Sequence, residues 1–301
     1  MSPQKTISPL AWLLLIALGA IWGGIFPAAK LLLEEVGPVT IVAQRTFWAA
    51  LALWGIALLR GATVPRSLSV WVGFAGMGLI NNVIPFSLIF WAQQHIEAGL
   101  AAILNGSTAI FGVLVAAIFL PDERLTPRKI VGVVLGFIGV ATVIGLEHLE
   151  EFNLRSAAQL MLLGATLSYA FAGVWARKML AGVAPDVSAA GMLTFAALVT
   201  IPGAWALGEP FSLAYSTPTL LLLAYVALAG TALAFLLYYR VLALAGSSNL
   251  LLVTLLVAPF AILISTLLLG ERLTPNALAG FGIIALGLAV IDGRLVKLIR
   301  R

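Results

Sequence analysis

The chain has 301 residues, 62% of them hydrophobic and 10% charged, with no cysteine, two histidines and a formal net charge of +5. A soluble domain carries about 25% charged residues, so there is too little charge here to cover a water-facing surface, and a mean hydropathy of +1.10 marks a polytopic integral membrane protein. Disulfides, thiolate metal sites and histidine-rich metal sites are excluded, and the excess of Lys and Arg reads as cytoplasmic loops rather than as a nucleic-acid surface.

Apolar runs of about 20 residues, the length of a spanning helix, follow one another along the whole chain. They are far too long for strands. The first, 9–30, lacks a small-residue cleavage site and reads as an uncleaved span. It carries Trp22. The second, 38–60, follows Glu34-Glu35-Val36-Gly37-Pro38 and holds Arg45, the one ion well inside a run, roughly 10 Å from Pro38. Three readings of Arg45 are open. It snorkels outward, pairs with Glu34 or Glu35, or holds a substrate carboxylate.

The third span, 70–94, contains Asn81, Asn82 and Pro85, with Trp91 near its end. Two adjacent amides in a bilayer need partners or water. Pro85 removes a helix hydrogen bond and frees a carbonyl nearby. The span reads either as a kinked polar lining helix or as one whose amides bond neighbouring helices. The fourth, 98–120, carries Asn105. The fifth, 127–146, has Gly132 and Gly136 at the spacing of a close helix contact, against span ten or a second copy of the chain. Spans six to ten follow at 157–180, with Tyr169, then 187–208, 217–240, 247–269, with Pro259, and 275–294. Pro85 and Pro259 are candidate hinges.

Orientation follows from the basic residues. With the N-terminus and the even-numbered loops on one side, that side holds Lys5, Arg60, Arg66, Arg124, Arg128, Lys129, Arg177, Lys178, Arg240, Arg294, Lys297, Arg300 and Arg301. The other holds Lys30, Arg155 and Arg272. Both termini are expected in the cytoplasm.

The chain also repeats itself. Glu123-Arg124-Leu125-Thr126-Pro127 recurs as Glu271-Arg272-Leu273-Thr274-Pro275, a shift of 148. At that shift Lys30 meets Lys178, Trp91 meets Tyr239, and Gly132 and Gly139 meet Gly280 and Gly287. The repeats 1–148 and 149–301 hold five spans each and form one integrated domain. Five is odd, so the second copy enters from the opposite face, as in many secondary transporters. In each motif Thr reads as an N-cap and Pro as the first helical residue.

With these residues in hand, the chain resembles the EamA branch of the drug/metabolite transporter superfamily. The likeness rests on the two Glu-Arg-Leu-Thr-Pro motifs, on Ala20-Ile21-Trp22-Gly23-Gly24, and on Thr231-Ala232-Leu233-Ala234-Phe235 with Tyr238-Tyr239-Arg240. It covers essentially the whole chain and is nearest to bacterial exporters of amino acids, aromatic ones included, and related metabolites. Pro121-Asp122 in the first copy stands where the second has Leu269-Gly270.

The resulting expectation is an all-α membrane protein of ten helices in two inverted repeats, set in a bacterial inner membrane. It exports amino acids and related small metabolites by alternating access. No catalytic residues, cofactor or metal are expected, and the partners are a small-molecule substrate and membrane lipids. Other organic solutes, such as drugs or sugars, are the alternative cargo; a lipid-modifying enzyme or a flippase is the rival class. The expected substrate contacts are Trp22, Asn81, Asn82, Tyr169, Asn105 and Trp91. A monomer and a dimer are both open.

Overall fold

The computed structural model describes residues 7–145, 153–209, 211–246, 250 and 252–292. His148, several of the basic residues counted for orientation, and the expected start of span nine at 247–249 lie outside the described residues.

Ten helices long and apolar enough to span a membrane run through them. They are α1 (Pro9–Leu32), α2 (Pro38–Leu59), α3 (Leu68–Ala92), α4 (Ala98–Phe119), α5 (Pro127–Ile144), α6 (Leu154–Met179), α7 (Pro185–Ala206), α8 (Thr217–Ala245), α9 (Leu252–Leu269) and α10 (Pro275–Asp292). Proline opens many of them because its fixed φ suits a first turn and its missing N–H has no partner there anyway. Thr126 Oγ1 accepts from Lys129 N at 3.3 Å, and Thr274 Oγ1 from Ala277 N at 3.2 Å, so both repeated Thr-Pro pairs start helices as expected. α6 begins earlier than the apolar run because Asn153 caps it, accepting from Ser156 N at 2.9 Å. α8 runs on past Arg240 until Gly246, whose φ of +81° ends it.

The two repeats are interwoven. α2 lies antiparallel to α7, with Thr46 opposite Thr200 at 3.3 Å and Trp54 Nε1 donating to Thr194 Oγ1 at 2.9 Å. α5 lies antiparallel to α10. There a Cβ added at Gly132 would stand 2.6 Å from the Gly287 carbonyl, and one at Gly139 2.9 Å from that of Gly280. Only glycine allows backbones this close. The Gly132 contact is thus with span ten, while Gly136 makes room for Ile110 of α4. α1 packs along α9, and α6 along both α3 and α4. Antiparallel contact between equivalent helices is the signature of inverted halves. Neither half has a core of its own.

The end of the bundle where α1 begins and α10 finishes is called here the near end, and the opposite one the far end. Large apolar side chains such as Leu13, Leu51, Leu198 and Leu267 are exposed around the bundle, as a lipid-facing surface requires.

Candidate functional site in the middle of the bundle

Three helices depart from regular α geometry in mid-span. α3 carries a π-helical segment over Gly78–Val83, and α8 one over Tyr225–Leu233, at equivalent places in the two repeats. Such segments are frequent at functional sites. In α3 the cause is legible. Ile84 N bonds the Leu79 carbonyl five residues back, so the next donor should be residue 85, a proline. The Ile80 carbonyl is left free, and Ser168 of α6 donates to it at 2.6 Å. The freed carbonyl expected of Pro85 is therefore spent on a helix contact. In α8, Thr231 Oγ1 donates to the Val226 carbonyl at 2.8 Å, again five residues back. α4 is interrupted between Asn105 and Thr108. There Ser107 Oγ donates to the Leu104 carbonyl at 2.7 Å and contacts Thr166 Oγ1 at 3.1 Å.

Arg45 is the one charged side chain buried among the described residues, at 8% exposure. It neither snorkels nor pairs with Glu34 or Glu35. Its Nε donates to Thr231 Oγ1 at 2.7 Å, and its guanidinium carbon sits 3.7 Å from the centre of the Phe86 ring. Tyr169 stands close enough to interact with its charge. Four helices, α2, α3, α6 and α8, thus meet at one cation. Tyr169 packs against the apolar clusters on both sides of this point. Toward the near end, Trp22 faces Tyr238 with ring centres 6.0 Å apart, and Tyr238 meets Tyr239 edge-on at 5.4 Å.

The other sequence candidates fall in different places. Asn82 is fully buried, with Nδ2 3.5 Å from the Met77 carbonyl and Oδ1 sealed without a partner. Asn81 turns toward α7, with Nδ2 3.7 Å from Met192 Sδ. The Asn105 Oδ1 is likewise sealed, at the break in α4. Trp91 is 49% exposed and joins none of the buried clusters, so it stands on the outside of the bundle rather than in its centre. A large amphipathic ring near a span end belongs with an interfacial belt. Pro259 lies inside α9, whose backbone meets Gly23 of α1.

Sequence reasoning passed over Phe86, and it named Thr231 and Tyr238 only as parts of a motif, not as candidates for the site. Nothing local marks Phe86, and nothing local ties Thr231 to a cation. Thr231 is 186 residues from the Arg45 it binds.

The two ends of the bundle are built differently. At the far end, carboxylates from distant loops occupy helix starts, where unpaired amides and the helix dipole attract negative charge. Glu209 accepts from Val39 N at 3.2 Å, against a Gly37 that has no side chain of its own to cap α2. Glu271 accepts from Ala98 N at 2.8 Å and Gly99 N at 3.1 Å at the start of α4. Glu35 accepts from Ser216 N at 2.8 Å and from the Thr219 hydroxyl at the start of α8. Those hydroxyl and amide donors hold the Glu35 carboxyl below its ordinary pKa. Glu97 forms a two-pronged pair with Arg155 at 2.8 and 3.0 Å. Partial burial pushes its pKa up, but Arg155 and Lys30 outweigh this and hold it low. At the near end, α1 and α5 are capped by Ser8 and Thr126, their own neighbours in sequence, while α7 has no side-chain cap and Asp186, in its first turn, accepts from Val187 N. Glu123, the repeat counterpart of Glu271, pairs instead with Lys129 at 3.0 Å and lies 3.8 Å from Arg177.

The sequence profile of the EamA-like transporter family matches residues 10–145 and, a second time, residues 156–292. This chain belongs to the EamA-like transporter family. The two matches cover the two five-helix halves. Among relatives of this EamA-like chain, a Salmonella typhimurium protein named "Probable amino-acid metabolite efflux pump" is 25% identical over 281 residues, 90% of each chain. An uncharacterized transporter of Bacillus subtilis is 26% identical over 283 residues, covering 93% of this chain and 90% of that one. A "Probable terminal-alkyne amino-acid exporter" of Streptantibioticus cattleyicolor is 29% identical over 141 residues, 46% of this chain and 45% of its own. A crystal structure matches over 95% of this chain and 98% of its own, with a TM-score of 0.67 at 20% identity, a likeness of fold alone. The EamA-like chain is a multi-pass membrane protein of a transporter family.

Proposed function

We propose that this protein is a secondary transporter that exports amino acids and related small metabolites across a bacterial inner membrane by alternating access. The near end faces the cytoplasm, by the distribution of Lys and Arg. The observation that carries the reading is the unequal state of the two ends. The halves are related by inversion, so their ends should be interchangeable. Yet among the described residues Glu271 sits on the start of α4, while Glu123 pairs with basic residues of its own end. A carrier resting in one half of its cycle, with its far side tied shut, has this asymmetry. Names given to relatives supply the amino-acid class of cargo. Mid-span aromatic rings at Trp22, Tyr169 and Tyr238 suit a partly apolar, zwitterionic molecule.

The test is efflux of trapped phenylalanine from liposomes bearing the purified protein, at equal pH and zero voltage. The described Asp and Glu side chains all lie at or beyond the span ends, so no mid-membrane carboxylate is at hand to couple a proton. Downhill efflux should therefore proceed without a pH gradient. Trp22→Ala and Tyr169→Ala should slow it about tenfold with membrane expression intact, by loss of stacking worth ~1 kcal/mol or more. Trp91→Ala should leave it unchanged. No efflux of any amino acid would refute the reading, and so would strict dependence on an imposed pH gradient.

A further inference from the structure

A cation in a bilayer interior is costly unless it is paired or serves a ligand. Arg45 has no carboxylate within ion-pair reach among the described residues. One of its three nitrogens is used, Nε on Thr231. Nη1 and Nη2 make no hydrogen bond to any described group. They are also not among the side-chain atoms sealed without a partner, so they keep some accessible surface although the residue as a whole is buried. Tyr169 Oη, close enough to feel the charge of the guanidinium, is likewise not among the atoms sealed without a partner. The fork of two parallel donors matches one carboxylate in geometry and charge. Thr231 and the Phe86 face fix the plane of that fork before a ligand arrives. The Phe86 ring covers one face of it with apolar surface, and Tyr169 packs against the cluster that holds Phe86.

We propose that Nη1 and Nη2 of Arg45 hold the carboxylate of the transported solute, so that this protein carries carboxylate-bearing molecules and rejects the same skeleton without a carboxylate. This rests on the transport reading above and names its substrate chemistry. No buried carboxylate among the described residues answers a substrate ammonium. The amine is therefore dispensable, and aromatic faces receive it when it is present. Binding also neutralises the buried guanidinium, so the loaded site loses the penalty that the empty one bears.

The experiment uses the full chain in liposomes, with labelled phenylalanine in counterflow against three competitors: 3-phenylpropionate, phenylalaninamide and phenethylamine. The acid should compete about as well as phenylalanine, and the amide and the amine about tenfold worse or more, the scale of a charged hydrogen bond. Arg45→Gln should raise the KM for phenylalanine about tenfold and abolish the preference for acid over amide. Arg45→Lys should keep a weaker preference. A purely structural arginine would lower activity without touching that preference, so its survival in Arg45→Gln overturns the proposal. Should that variant fail to fold, equal competition by acid and amide in the unmodified protein overturns it instead. Should the unmodified protein move no phenylalanine, the transport reading fails, and the site is judged by thermal stabilisation of the purified protein with the same compounds. Stabilisation by the acid and not by the amide supports it; equal or absent stabilisation overturns it.

Discussion

Gly23 and Gly24 follow one another in α1 and serve different neighbours. A Cβ at Gly23 would stand 2.6 Å from Phe260 Cβ, 2.8 Å from the Val257 carbonyl and 2.9 Å from Ala261 N. One at Gly24 would strike the hydroxyl of Tyr225, which donates to the Ile21 carbonyl at 2.7 Å. The Trp-Gly-Gly motif was legible as a family feature, but its reason was not, because both contacts cross from one repeat to the other. The first meets backbone, which cannot swing aside. Gly23→Ala should therefore destabilise the protein by about 1–3 kcal/mol through overpacking, read as a lowered Tm in detergent. Gly112→Ala, inside a helix and with nothing within 4 Å of the added Cβ, is the matched control and should leave the Tm unchanged or raise it, since alanine favours a helix over glycine. Arg45 shows the same limit of sequence reading. Its depth was visible from spacing alone, whereas its partners come from three other helices.

At the scale of the element, long apolar runs and Thr-Pro starts made nearly every helix legible. Their interruptions were not, since the π segment of α3 depends on Pro85 and on Ser168 of another helix, and that of α8 on the Thr231 hydroxyl, which also meets Arg45 of α2. The ties at the far end were hidden as well. Glu209 and Glu271 read as ordinary loop charges until their loops fold back onto the starts of α2 and α4. The repeated motif announced that Glu123 and Glu271 are equivalent, but not that they are in different states. Removing one should shift the balance between states in one direction only. Gly99 offers a probe, because a Cβ there makes only ordinary contact, 3.4 Å from Leu273, and the chain has no cysteine of its own. In Gly99→Cys, adding Glu271→Ala should raise the rate of labelling by an impermeant maleimide about tenfold, the weight of a charged hydrogen bond. Adding Glu123→Ala should not raise it. Equal acceleration by both would show that neither carboxylate acts as a tie.

For the whole molecule, two inverted halves sharing one core mean that neither end can move alone. α2 with α7 and α5 with α10 couple the halves side by side, so separation at one end should draw the other together. Mutually exclusive opening is the central claim, and the most direct measurement is of two distances in the same liposomes. Spin labels on cysteines at the exposed positions 94 and 276 span the far end, and labels at the exposed positions 124 and 240 span the near end. With a phenylalanine gradient imposed, the account predicts two populations at each pair, the far-end distance lengthening as the near-end distance shortens. Both pairs lengthening together would indicate a channel, and an unchanged pair during sustained efflux would place the pathway elsewhere; either result would contradict it.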